Sequence, residues 1–505
     1  MIFLFAIIGF VLLLSLVHWK RTPRYIPPGP IPLPLVGNLH QFVRLVPLKT
    51  FHDWHKKYGS IVGLTLGPRT IIILGTHAIN KELLGGRGQI YSSRPYMPLV
   101  SDNMTGGLNT ALIPYGERWK THNRIHLALL NPRMARLYEG LVDFESRRLL
   151  DGICSTNDFS SVIYRYTASL ILALQYGKSV DVNDPIAKDF KEITHKFVKA
   201  IGASSFLFEC FPILQRIPSS MAPWIKSSNE LHHATTSLFS SSAENGLYSK
   251  EWNWSKYVRN LKDAQGMPEE ELWYLMGILY EAATDTTVAI LRFFVMACVL
   301  HPWAVKKAQR ELDSVVGDSR LPKAEDMGQL PYVRAIINEV IRWRPATPEG
   351  IPRATSADDV YQGYHIPKGA TVLVNMWAMH MDPDVYDNPE SFRPERWIEN
   401  PNLPLGIFGY GRRACSGRHF GQISLNMVIS RMLWAFSFNH SYEDGRRIEI
   451  DPWNMEQHGA SLRPLPFPAD IQLRDEGRRA VLQKGPDVAK SVEELLAQVE
   501  QEVAQ

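Results

Sequence analysis

Residues 408–422 read FGYGRRACSGRHFGQ, and the rest of the chain is best understood outward from them. The run places Phe408, Gly411, Arg413, Cys415 and Gly417 in a compact loop, with an amphipathic helix expected over residues 422–436. A cysteine just ahead of a helix gains from free backbone N–H groups and the positive end of the dipole. Both favour the thiolate, the form that ligates a metal. Glycines at 409, 411 and 417 permit turns with positive φ and let the backbone approach a flat macrocycle closely. Arg413 offers a planar fork of donors suited to a carboxylate. The plainer alternative is a glycine-rich loop around a buried cysteine.

The other three cysteines, Cys154, Cys210 and Cys298, are far apart and form no CxxC or Cys/His cluster with zinc spacing. They read as small buried hydrophobes rather than a disulfide framework. The chain has 505 residues, 45% hydrophobic and 21% charged, which excludes a disordered or polytopic membrane protein. A formal net charge of +4, without a dense basic stripe or reading motif, argues against nucleic acid as a partner.

Residues 1–17 are apolar apart from Gly9 and Ser15, about the shortest run that crosses a bilayer as a helix. Trp19, Lys20, Arg21 and Arg24 follow, placing the C-terminal side in the cytosol. The rival reading, a cleaved signal peptide, lacks a basic n-region and a small-x-small cleavage site. The proline-rich run YIPPGPIPLP at 25–34 then forms a stiff spacer. In this topology the sequons at Asn103, Asn253 and Asn439 face the cytosol and stay unglycosylated. The expected division is an anchor at 1–19, a basic, proline-rich hinge at 20–45, one catalytic domain at 46–475 and a charged helical tail at 476–505.

Within the catalytic stretch, β-branched runs at 60–66 and 70–74 flank Gly67 and Pro68 in hairpin fashion. Most of the remainder has helical period. The clearest helix spans 268–300, with Pro268 in its first turn, acids at 269–271 and a stop before Pro302. Such a helix is about 50 Å long, and its apolar middle predicts burial. Residues 488–503 predict an amphipathic helix, a solvated appendage.

The pattern FxxGxRxCxG formed by Phe408, Gly411, Arg413, Cys415 and Gly417 resembles the haem-binding signature of the cytochrome P-450 superfamily. The resemblance extends in order along the chain: AATDTT at 282–287, ExxR at Glu339 and Arg342, and FRPERW at 392–397. It implies a mainly α fold with small β-sheets, haem b held between the long helix and the cysteine loop with its following helix, and one N-terminal transmembrane helix. Cys415 would ligate iron. Arg413 would reach a propionate and Phe408 would shield the sulfur. A thiolate ligand favours O–O cleavage. Glu339, Arg342 and Arg396 would form a buried charge network, and Asp285 and Thr286 a proton relay to oxygen. The plainer reading of Thr286 is a bond back to the carbonyl four residues earlier. Trp119 matches the family's propionate-facing tryptophan, but Asn123 stands where the following arginine is usual. Lys120, Arg124 and Arg353 are the candidate replacements. Ala283 replaces a usual glycine and is expected to narrow the helix distortion that accommodates oxygen.

The run of motifs, especially PPGPIPLPLVGN at 27–38 and FPIL at 211–214, is similar to that of fungal microsomal enzymes of specialised metabolism. It implies an endoplasmic-reticulum enzyme with a cytosolic catalytic domain that hydroxylates, epoxidises or oxidatively demethylates a lipophilic polyketide, terpenoid or indole alkaloid. Electrons would come from NADPH through a separate NADPH-cytochrome P-450 reductase, for which Arg412, Arg418, Lys120 and Arg124 offer a basic face. The expected pocket draws on residues 96–112, 205–214, 278–283, 347–351 and 457–461, mostly apolar. Phe206, Phe208, Phe211 and Met104 are among them. Glu281 is the exception, read either as partner of an amine-bearing substrate or, from its offset of roughly 140° from Thr286, as an ordinary intrahelical group. Alternatives to the monooxygenase are a reductase-independent isomerase or dehydratase, and a non-catalytic haem sensor.

Overall fold

The computed structural model describes residues 26–42, 47–181, 183–200, 209, 211, 217–218, 221–484 and 491–505. The expected anchor at 1–19, Phe206, Phe208 and Cys210 lie outside the described residues. The principal elements in chain order are β1 (Ile61–Leu66), β2 (Arg69–Leu74), α1 (Glu117–Leu130), α2 (Glu139–Ser155), α3 (Phe159–Tyr176), α4 (Pro223–Tyr248), α5 (Glu269–Leu300) and α6 (Pro331–Trp343). They continue with β3 (Arg353–Ala354), β4 (Thr371–Val374), α7 (Arg418–Ala435), β5 (Met455–His458), β6 (Ser461–Pro464) and α8 (Val492–Ala504).

Helix α5 is the axis of the molecule. Pro268 is its N-cap residue, Glu269, Glu270 and Glu271 occupy the positive end of its dipole, and Pro302 opens the next helix. Its residues are buried on nearly every side, because α3, α4, α6, α7 and the β5–β6 hairpin all pack against it. Length and hydropathy alone would let it cross a membrane, but this burial makes it the core helix of the domain.

The expected early hairpin is present as β1 and β2, antiparallel with Ile61 opposite Leu74 and Leu66 opposite Arg69. The sheet continues in the order β1-β2-β4-β3, with β4 parallel to β2 and antiparallel to β3. Residues 26–38, within the expected proline-rich hinge, lie along β1. The Gly63 N–H donates to the Pro28 carbonyl at 3.0 Å, and the Asn38 N–H to that of Thr65 at 2.6 Å.

Three further expectations change. Helix α7 starts at Arg418 rather than at 422, and from Ser424 onward it is almost wholly enclosed, so it is a core helix rather than an amphipathic one. Helix α8 is capped by Ser491 and Glu494 and buries Val492, Leu495, Leu496 and Val499 against α2 and its neighbours, so it is docked rather than solvated. Cys298 is buried as expected, but Cys154 is exposed near the end of α2. Asn253 is wholly buried as a helix cap, donating to the Gly246 carbonyl, which closes that sequon to modification.

Candidate active site

A cavity separates α5 from the cysteine loop. Leu279, Ala282, Ala283, Thr286, Thr287 and Ile290 of α5 form one wall. Phe408, Cys415, Ser416, Gly417 and the first turns of α7 form the facing wall, and Tyr166, Thr167, Leu170 and Ile171 of α3 close the side.

The loop's shape follows from its backbone bonds. The Cys415 N–H donates to the Phe408 carbonyl at 2.8 Å, folding Phe408 and Cys415 together. Gly411 has φ of 60°, and a Cβ there would stand 1.9 Å from the Leu84 carbonyl oxygen, so no other residue fits. Gly417 differs from expectation. Its φ is −81°, an ordinary value, and a Cβ there would meet the Cys415 Sγ at 3.9 Å, a normal contact. The Cys415 thiol opens onto the cavity yet is surrounded by protein. Burial pushes its pKa up, while the Gly417 N–H and the Arg418 charge pull it down.

Arg413 leaves the loop on the other side. Its guanidinium lies 4.2 Å from the centre of the Trp119 ring and donates to the carbonyls of Ser92 at 2.9 Å and Ile113 at 2.6 Å. Arg353 donates to the Tyr410 carbonyl at 2.7 Å, and its Nη1 is buried with no partner. A third arginine, Arg94, was missed by sequence reasoning. It donates to the carbonyls of Ile351 and Pro352, and its Nε is also buried without a partner. The isolated bridge between Ser93 and Ala354 brings Arg94 beside Arg353, a pairing across some 260 residues that no local pattern announces.

Among the described residues no carboxylate bonds or pairs with any of the three. Burial, with the Arg413 and Arg353 charges added, holds Arg94 well below its usual value. Burial also lowers Arg353 to about 10, and burial with the Arg353 charge lowers Arg413 to about 9. Two buried arginines with orphaned donors, Arg94 and Arg353, beside the partly buried Arg413 and with no internal anion, fit a bound group carrying negative charge at this edge, as the carboxylates of a haem would.

Lys120 and Arg124 do not join this cluster. Lys120 pairs with Glu117 at 2.6 Å and Arg124 with Asp263 at 2.7 Å, both on the exposed face of α1. One residue turns a helix by about 100°, so Arg124 cannot reach where a side chain at Asn123 would point. The intended basic face is therefore reduced: Arg412 and Arg418 are exposed, with Arg412 bonded to the Tyr115 hydroxyl, while the other two charges are already paired.

On α5 the Asp285–Thr286 pair divides. Thr286 lines the cavity, and its hydroxyl donates to the Ala282 carbonyl at 2.8 Å, the plainer of its two readings. Asp285 accepts from the Ser461 hydroxyl on β6. Helix α5 runs unbroken past Ala283.

Behind the cysteine loop the expected charge network is assembled. Arg342 grips Glu339 through Nε at 2.8 Å and Nη2 at 2.7 Å, and Arg396 adds an Nε contact at 3.2 Å. The Trp397 indole and the Arg393 backbone N–H also donate to Glu339. Arg342 in turn ties the carbonyls of His380, Pro389 and Ser391, fixing the segment that leads to the cysteine loop.

A family model described as Cytochrome P-450 matches residues 27–467. The chain is 43% identical over 477 residues to the cytochrome P-450 monooxygenase aneD of Aspergillus aculeatus, covering 94% of this chain and 92% of that protein. It is 42% identical, over 94% of this chain and 91% of the relative, to the cytochrome P-450 monooxygenase astF of Aspergillus oryzae. Among solved structures, a zebra fish cytochrome P-450 determined with progesterone superposes with a TM-score of 0.72 at 25% identity, covering 85% of this chain and all of that one.

Proposed function

The chain belongs to the cytochrome P-450 family and is a monooxygenase of it, and we propose that it uses O2 and NADPH-derived electrons to hydroxylate, epoxidise or oxidatively demethylate a lipophilic specialised metabolite. The observation that carries this reading is the cavity with the Cys415 thiol on one wall, Thr286 on the other, and the arginines Arg94, Arg353 and Arg413, the first two buried, that lack an internal counter-charge. The residues fit haem b: Cys415 would ligate the iron, and Arg94, Arg353 and Arg413 would hold the propionates, with Trp119 stacked on Arg413. Bound haem supplies the oxygen chemistry, and its iron would keep the Cys415 sulfur deprotonated despite burial.

The protein's own contribution is to exclude water and to place protons. The apolar walls of α3 and α5 desolvate the site, so that charges within it interact strongly. The Thr286 hydroxyl must turn from the Ala282 carbonyl toward the cavity to pass a proton, and Asp285, held by Ser461 one residue away, is the acid that could resupply it. Arg412 and Arg418, exposed on the face behind Cys415, offer a docking surface for a separate NADPH-dependent reductase. The apolar N-terminal run would hold the domain on the cytosolic face of the endoplasmic reticulum.

The test is the reduced carbon monoxide complex. The full chain should show the red-shifted Soret band of a thiolate-ligated haem, and Cys415→Ala should abolish it. Membranes carrying the chain and a reductase should then add one oxygen to a lipophilic substrate, or remove a methyl group, only with NADPH. Turnover without NADPH would assign the isomerase or dehydratase chemistry instead.

A further inference from the structure

Helix α8 takes no part in the chemistry above, and it lies beyond residues 27–467, the span that the family model matches. It packs on α2 and on the short helix Pro132–Leu137. That short helix packs in turn on α1 and on α7, the helix that leaves the cysteine loop. The residue after it, Tyr138, sets its ring 5.7 Å from that of Phe420, in the first turn of α7. Packed helices stand about 8–10 Å apart, so two such steps place α8 at most about 20 Å from α7. A protein partner of ordinary size covers about 800 Å², a patch on the order of 30 Å across. An electron donor seated on Arg412 and Arg418 would therefore meet α8 at its rim.

The helix has two chemically distinct sides. Inward, Val492, Leu495, Leu496 and Val499 recur at helical spacing and are buried, and Leu495 sits over Gly140, where a Cβ would stand 2.9 Å from its Cδ2. Outward, Glu493, Glu494, Glu500 and Glu502 are exposed, and none of them forms an ion pair among the described residues. On the neighbouring surface Arg133, Arg136, Arg412 and Arg418 are exposed, again with no ion pair among the described residues. Arg412 bonds to the Tyr115 hydroxyl and Arg418 to the Cys415 carbonyl. Arg133 reaches α8 itself, donating to the Glu502 carbonyl at 2.7 Å, at the negative end of the helix dipole. Lys120 and Arg124 are already matched by Glu117 and Asp263. The four arginines left to attract a partner thus stand one or two helix spacings from four carboxylates. A helix of this length is marginal in isolation, so the apolar stripe and Arg133 are what hold those carboxylates in place.

We propose that α8 is a built-in shield of the docking face: it holds four carboxylates beside Arg133, Arg136, Arg412 and Arg418 and so slows the docking of an electron donor whose own contact surface is acidic. This rests on the reductase reading above and adds the regulation of the same surface. Charges at the rim of an interface act mainly on the rate of encounter. Salt limits their reach to about 8 Å at 0.15 M but to about 30 Å at 0.01 M, so the shield acts most strongly at low salt.

The experiment follows binding of the detergent-solubilised, haem-loaded full chain to immobilised NADPH-cytochrome P-450 reductase by surface plasmon resonance, at about 10 mM and about 300 mM salt. The triple variant Glu493→Gln, Glu500→Gln, Glu502→Gln keeps the apolar stripe and the capping Glu494, and urea unfolding checks that it stays as stable as the wild type. It should associate about threefold faster or more at low salt, with the gain largely gone at high salt. Deletion of residues 491–505 should give at least the same gain. Reduction of the haem by NADPH and reductase under carbon monoxide should quicken in parallel. An association rate unchanged in the triple variant at low salt, or a gain that persists undiminished at high salt, overturns the shield. The double variant Arg412→Glu, Arg418→Glu separates the two readings. If it binds reductase as the wild type does, the docking face itself is misplaced; if it binds more weakly while the triple variant changes nothing, the shield alone fails.

Discussion

Replacing Glu339 by Gln isolates the network behind the cysteine loop. The substitution keeps shape and removes charge, leaving two guanidinium groups, Arg342 at 0% and Arg396 at 3% side-chain exposure, without an anion. The carboxylate accepts from five donors on its two oxygens, and an amide would turn its own NH2 toward some of them. Breaking a buried pair in this way costs about 3–5 kcal/mol, against under about 1 for the same pair at a surface. Native stability is only about 5–15 kcal/mol, so Glu339→Gln should forfeit a large part of it. Urea unfolding of the detergent-solubilised full chain, followed by circular dichroism, should show a markedly lower midpoint. The double variant Glu339→Leu with Arg342→Met should lose less than the two single changes together, because it removes opposite charges in concert. A loss below about 1 kcal/mol in Glu339→Gln, or a double variant at least as damaged as the sum, would refute the network as the determinant of this region.

Arg94→Leu should speed transfer of haem to apomyoglobin by about ten- to a hundredfold, the value of one charge-assisted hydrogen bond, and an unchanged rate would remove Arg94 from the propionate cluster. Thr286→Val deletes one intrahelical bond, so stability should move by about 1 kcal/mol or less while product formed per NADPH falls; unchanged coupling would leave the hydroxyl with its bond to Ala282 as its whole role. Leu496→Asp places a charge where the side chain is fully buried between α8 and its neighbours, and should lower stability by at least about 2 kcal/mol; a neutral outcome would mean that α8 does not contribute to the domain in solution. Glu281→Gln should flatten the pH dependence of stability. Because the carboxyl's folded pKa of about 8 lies above its ordinary value of 4.5, the native protein holds a proton that the unfolded chain has released between those limits, and wild-type stability should fall as pH rises through the window. The full effect is on the order of 4 to 5 kcal/mol, with Asp285, Tyr274 and Tyr280 as the titratable neighbours. Identical pH profiles for wild type and Glu281→Gln in urea unfolding would rule it out.

The sequence made the cysteine loop legible because its pattern is local: ten consecutive positions carry the cysteine, the turn glycines and the arginine. The ExxR segment and helix α5 were legible for the same reason, as spacing and period within one element. Arg94 was not, since its place depends on Ser93 meeting Ala354, a contact that only the sheet order creates. Lys120 and Arg124 failed as candidates through their own neighbours, Glu117 and Asp263, the second of which lies 139 residues away and could not be weighed from α1 alone. The tail was misjudged because Leu495, Leu496 and Val499 make a narrow apolar stripe among acids, and only the structure supplies the face of α2 that covers it.

Buried charges in this protein divide by whether the fold itself answers them. Glu339 is matched by two arginines. Glu145 is matched by Arg165 at 2.5 Å and Arg148 at 3.2 Å, with Ser169 and Ser179 donating as well, and Arg431 is bound to Asp143 and Ser146. These sets are complete, and completeness is what a structural role requires, because an unpaired buried ion would cost more than the fold could spare. Arg94 and Arg353, with the partly buried Arg413 beside them, are incomplete by the same measure, since no carboxylate among the described residues pairs with them. The three gather where Trp119 and the cysteine loop meet. Orphaned donors on Arg94 and Arg353 are what a bound anion would answer at this edge, whereas Arg344, equally buried, already places its donors on the Trp343 and Pro452 carbonyls.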